Sequence, residues 1–128
     1  MKRAYHSAPH QRSRSYSPAV VTEGGRIVWL AGHIAPEDED GNSLAGDFDA
    51  QVHCIFRKLE KTLEEAGAAL SDIVTMTVFI TDVGLNSRFV ELRKRYFADD
   101  DPASALITVA ALNRPEMMVE IQAVAVAE

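Results

Sequence analysis

The sequence predicts an α+β domain in the order ββαβαββ, with both helices on one face of the sheet. Three observations carry this prediction. Short runs of β-branched and apolar residues recur along the chain. Two longer stretches instead repeat apolar residues at three- and four-residue steps, the period of a helix buried along one side. Glycine-bearing polar segments separate the runs and supply turns.

Ser17–Thr22 ("SPAVVT") and Arg26–Gly32 ("RIVWLAG") are the first two strands, and Glu23-Gly24-Gly25 between them predicts a tight hairpin. The following "APEDEDGNSLAG" is a solvated loop, because counting from Asp38 it lacks the Glu that closes a calcium loop. Asp47–Ala66 is the strongest helix, with Val52, Ile55, Phe56, Leu59, Leu63 and Ala66 on one stripe. Asp47 or Asp49 caps its start, and Gly67 ends it in a left-handed turn. Ile73–Thr81 ("IVTMTVFIT") is a strand. Asn86–Phe97 is a second helix that turns Phe89, Leu92, Tyr96 and Phe97 inward and Arg88, Arg93 and Arg95 outward. Ser104–Leu112 and Met117–Ala127 are the last strands, joined by "NRPE".

Two helices of this length cover one face of such a sheet. On the last strand Met118, Val124 and Val126 share a side with Glu120 and Gln122, while Val119, Ile121, Ala123 and Ala125 point the other way. Both sides are largely apolar, so the uncovered one is expected to pack against another subunit.

At 128 residues, 47% hydrophobic and 25% charged, the chain has the composition of a single globular domain. Residues 1–15 hold four basic and no acidic side chains and are expected to be a flexible basic arm, leaving 16–128 as the domain. The net charge is −6, and removing the arm's +4 leaves −10 for that domain, the wrong sign for a nucleic-acid partner. No apolar run reaches the roughly 18 residues of a membrane span. A single cysteine, Cys54, excludes an internal disulfide and fits a reducing cytoplasm.

Glu120 is the first candidate for chemistry, since "MMVEIQAVAVA" surrounds it with apolar residues. Burial disfavours the charged form of a carboxyl, which suits it to general acid work. Gln122 shares its face. Cys54 and the adjacent His53 point about 100° apart on a helix, so they do not form a nucleophile–base pair, and Cys54 reads as a buried structural thiol. The histidines show no metal-ligand spacing, no glycine-rich loop opens a helix, and no "GxSxG" elbow occurs. No metal or organic cofactor is expected.

"YSPAV" (16–20), "IVWLAGHIAP" (27–36), "DFDAQ" (47–51), "LEEAGAALSDIVTMTVFITD" (63–82), "RYF" (95–97), "PAS" (102–104) and "MVEIQAVAV" (118–126) stand in collinear order over residues 16–127. In these segments the chain resembles the Rid family, the YjgF-type, RidA-like enamine/imine deaminases once labelled endoribonuclease L-PSP. The resemblance implies a chorismate-mutase-like fold, a homotrimer with a central barrel of sheets, and small-molecule clefts between subunits. It further implies a glutamate in the last strand that positions or protonates, matching Glu120. A tyrosine near the start that closes the cleft matches Tyr16. An arginine directly after "PA" clamps the substrate carboxylate.

That last position is Ser104. A hydroxyl cannot fork onto a carboxylate, so hydrolysis of 2-iminobutanoate and its C3 analogue is expected to be weak, and Ser104→Arg to raise it at least tenfold. A different enamine or imine metabolite is then the expected substrate, with a non-catalytic small-molecule-binding protein as the alternative. Backbone donors around Gly32 and the hydroxyls of Ser104 and Thr108 remain as expected ligand contacts. Arg114, His33, Arg93 and Arg14 are candidates for a substitute cation, and Arg114 is nearest along the chain to the cleft-forming strands.

Overall fold

A computed structural model describes residues 1–128. The chain forms β1 (Lys2–His6), the one-turn α1 (Pro9–Arg12), β2 (Ala19–Glu23), β3 (Arg26–His33), α2 (Phe48–Glu65), β4 (Ile73–Ile80), α3 (Asn86–Arg93), β5 (Ala103–Thr108) and β6 (Val119–Ala127). From β2 onward this is the predicted ββαβαββ order. The main sheet runs β3-β6-β4-β5, with β4 and β5 parallel and the other neighbours antiparallel. A second, two-stranded sheet pairs β1 with β2.

Helix α2 covers one face of the main sheet. Asp47 caps it by accepting a hydrogen bond from the Ala50 amide at 3.0 Å, and Gly67, at φ 75°, takes the left-handed turn beyond its end. Val52, Ile55, Phe56, Leu59 and Leu63 are fully buried against Met76, Val78 and Ile80 of β4 and Val119, Ile121, Ala123 and Ala125 of β6. Each such aliphatic or aromatic side chain contributes roughly 1.5–3 kcal/mol when removed from water. Gln51, equally buried, ties the layers together: its Nε2 donates to the carbonyls of Leu44 and Glu116, and its Oε1 accepts from the Met118 amide. That bond fixes the chain immediately before β6. Cys54 is buried, as expected, and its thiol lies 3.1 Å from Glu39 Oε1.

The opposite face of the sheet has no cover within the subunit. Trp29 is 76% and Ile27 55% exposed there, and Ile107 on β5 is exposed as well.

Three expectations change. Residues 1–15 are not a free arm, because β1 is hydrogen-bonded along β2 and Arg3 anchors it. The Arg3 guanidinium donates to Asp72 Oδ1 at 2.5 Å, the Val126 carbonyl at 2.6 Å and the Ser71 carbonyl at 3.2 Å. Secondly, β2 and β3 are joined by the expected glycine turn but do not pair: β1 takes the bonds of β2, and β6 takes those of β3. Gly25 is needed for this crossing, since a β-carbon there would stand 2.6 Å from the Ala127 carbonyl oxygen. Finally, the second helix ends at Arg93, and Lys94–Tyr96 continue as a tighter 3-10 turn.

Candidate functional site

Glu120 and Gly32 come together on the uncovered face. The β3–β6 register slips between Leu30 and His33, a bulge that re-aims the chain there. Glu120 folds its carboxylate over that bulge, and a β-carbon on residue 32 would overlap its Oε2 and stand 2.9 Å from its Cδ. Only glycine leaves this space. Phe79 of β4 pairs with Glu120 in register and Thr77 with Gln122, so a half-buried aromatic ring and two polar groups share the face.

Ser104 lies elsewhere. It is in register with Met76, whose side chain is in the core, so Ser104 points to the helix side of the sheet. Its hydroxyl accepts a hydrogen bond from Arg93 Nη1 at 3.0 Å, and Arg93 Nη2 donates to the Arg14 carbonyl at 2.8 Å. Arg93 is only 3% exposed, and its guanidinium lies 5.4 Å from the centre of the Phe89 ring. Burial pulls its pKa down to about 10, so it remains a cation at neutral pH. The segment carrying half-buried Tyr16 passes beside this group: the Ser17 amide donates to the Pro102 carbonyl at 3.0 Å, and Ser17 Oγ to the Asp101 carbonyl at 2.6 Å.

The outward placement expected for Arg93 is thus corrected, and the sequence held the signal. Phe89, Arg93 and Phe97 follow one another at four-residue steps, which places Arg93 on the same stripe as two buried rings. The other predicted positions separate from this pair. Thr108 ends β5, roughly 13 Å along the strand from Ser104 at about 3.3 Å per residue. Arg114 is ion-paired with Glu37 at 2.8 Å and with Glu116. His33 is held between the Ala31 carbonyl and Thr62 Oγ1. Arg14 offers its carbonyl, through the bond to Arg93 Nη2.

Glu120 and Ser104 therefore stand on opposite faces, two strands and three residues apart, or roughly 14 Å between their Cα positions. No pocket is enclosed around either group within one subunit.

A sheet with helices on one face, an apolar opposite face and a carboxylate laid into a bulge there defines the class, the chorismate-mutase-like α+β fold. The model of the family described as Endoribonuclease L-PSP matches residues 6–127. The chain belongs to this family, known also as the Rid or YjgF family. It is 31% identical over 113 residues to a RutC family protein of Pyrococcus abyssi, covering 88% of this chain and 87% of that one. It is 29% identical over 111 residues to the 2-iminobutanoate/2-iminopropanoate deaminase of Homo sapiens, covering 87% and 79%. Among solved structures, the Rid-family protein YyfB of Yersinia pestis superposes with a TM-score of 0.85 at 26% identity, over 98% of this chain and 99% of that one.

Proposed function

We propose that the chain is a hydrolytic deaminase of an enamine or imine metabolite, acting in clefts completed between the subunits of a homotrimer. The observation that carries this is the Glu120 carboxylate, set against the Gly32 bulge on the uncovered face and left out of every ion pair of the subunit. Water adds to the imine carbon and the C–N bond then breaks, so that imine and water become carbonyl compound and ammonia. Glu120 takes the proton from the attacking water and delivers it to the departing nitrogen, a shuttle that returns the carboxylate to its starting state. Gly32 keeps the carboxylate against the backbone, Tyr16 lies at the mouth near Ser104, and neither a metal nor an organic cofactor takes part. Kinship with the human imine deaminase supports the reaction class, and the apolar face bearing Trp29 and Ile27 supports the assembly.

Ser104 favours a second function on the same scaffold, a small-molecule-binding protein without turnover. Position 104 lacks the strand arginine by which, on the family resemblance, common 2-imino acids are held, which favours a different imine as the natural substrate. The family's endoribonuclease label fits less well, because the domain of residues 16–128 carries −10 by difference from the whole chain's −6 and the +4 of residues 1–15. Ammonia release from a panel of freshly generated imines, by the parent and by Glu120→Gln, tests the proposal. Turnover lost in the variant with the oligomer intact supports it. Equal turnover in both removes Glu120 from the mechanism, and binding without turnover in the parent selects the binding protein.

A further inference from the structure

Arg93 is a deeply buried cation at this end of the sheet whose environment is unfinished. An arginine carries five N–H donors, and here Nη1 uses one on Ser104 and Nη2 one on the Arg14 carbonyl. The Nε–H is buried with no acceptor. Arg57, Arg88, Arg114 and Arg3 each meet a carboxylate within 4 Å, whereas Arg93, far more deeply buried, meets none. Asp101 is also buried and contributes an attractive field, but it forms no ion pair with Arg93. A buried cation without an anion is costly to maintain, and a bound anion relieves that cost. Ser104 completes the geometry: its oxygen accepts from Arg93, which leaves its O–H free to donate beside the guanidinium.

We propose that Arg93 is the anchor for the carboxylate of an anionic imine, supplied from α3 to the place beside Ser104 where the family resemblance expects a strand arginine. The guanidinium offers two parallel donors to the carboxylate, the Ser104 hydroxyl a third, and Tyr16 borders the entry. This rests on the deaminase function and narrows its substrate class to imines bearing a carboxylate.

The experiment uses the full-length protein and two ketone probes, 2-oxobutanoate and the smaller, uncharged butanone, with binding read by calorimetry. The parent is expected to bind 2-oxobutanoate at least tenfold more tightly than butanone. Arg93→Gln should abolish that ratio by weakening the anion alone, and Arg93→Lys, a point charge without the fork, should keep part of it. A parent ratio near one overturns the anchor whether or not the variants fold. An Arg93→Gln protein that keeps the parent's ratio overturns it equally. The deaminase function fails separately: an Arg93-dependent ratio with no ammonia release from any imine keeps the anchor and discards the reaction. Ammonia release unaffected by Arg93→Gln on charged and uncharged imines alike does the reverse.

Discussion

Ser104→Arg restores by sequence the arginine that the family resemblance places after "PA", yet the structure predicts that this substitution alone is damaging. The Ser104 hydroxyl lies 3.0 Å from Arg93 Nη1, so an arginine there shares its side of the sheet with an existing guanidinium. Two unit charges about 4 Å apart at an effective dielectric of 20 repel by about 4 kcal/mol, and swinging the new side chain out to about 7 Å still leaves about 2 kcal/mol. The hydrogen bond from Arg93 to the serine is also lost, at about 1 kcal/mol. The sum is about 3–5 kcal/mol, or roughly 10–20 °C in Tm for a domain of this size. Four proteins decide the matter by thermal and urea denaturation at equal subunit concentration: parent, Ser104→Arg, Arg93→Ser and the double exchange. The double exchange has one guanidinium again, so it should recover at least half of the loss, a coupling that the single variants cannot show. Assayed on 2-iminobutanoate, the double exchange should also outperform Ser104→Arg. If Ser104→Arg instead keeps the parent's Tm and gains imine hydrolysis unaided, position 104 opens away from Arg93, and the electrostatic reasoning is wrong.

Three shorter predictions test other parts of the site. Gly32→Ala should displace the Glu120 carboxylate and abolish turnover while costing no more than about 1.5 kcal/mol, because the obstructing atoms end a flexible side chain; ammonia release and calorimetry check both halves. Trp29→Glu places a charge on the uncovered face, on the edge strand β3, and should shift light scattering from oligomer to monomer; an unchanged mass removes that face from the interface. Arg57 holds the Glu39 carboxyl well below its ordinary pKa of 4.5. A depressed carboxyl stabilises the fold above pH 4.5 and loses that contribution as the pH falls, so Glu39→Gln should flatten the acid limb of the stability–pH profile. The exposed setting of the pair keeps the change small.

The parts of this molecule legible in sequence are those set by local periodicity. Helix α2 was legible because its apolar stripe runs for eighteen residues between an Asp cap and a glycine. The element order from β2 onward followed from the alternation of β-branched runs with such stripes. Strand β1 was not legible, because Lys2, Arg3 and His6 read as a solvated basic tract. Its order depends on the register with Ala19–Glu23 and on where the Arg3 guanidinium ends, among Asp72 and the Ser71 and Val126 carbonyls. Arg93 was misjudged for the same physical reason. Charge argues for solvent, and only the four-residue step from Phe89 argued against it. The approach of Glu120 to Gly32 follows from a register slip between strands far apart in sequence, which no local pattern encodes.

The separation of the two groups has a consequence that single variants miss. Glu120 and the Arg93–Ser104 pair face opposite sides of one sheet at roughly 14 Å, whereas a small imino acid spans only about 5 Å, so one subunit cannot apply both groups to one substrate. If each cleft takes Glu120 from one subunit and Arg93 from its neighbour, Glu120→Gln and Arg93→Gln damage opposite halves of it. Unfolded together in equal amounts and refolded, the two variants should then form mixed rings. A cleft is intact when the Arg93→Gln chain supplies the glutamate and the Glu120→Gln chain the arginine, which random mixing produces in about a quarter of clefts. Imine hydrolysis should accordingly rise from near zero in each variant to about a quarter of the parent's rate, and in proportion to the mixed species resolved by native mass spectrometry. Mixed rings that form without any return of activity would show that both groups serve one subunit's site, and the division of the cleft between neighbours would be wrong.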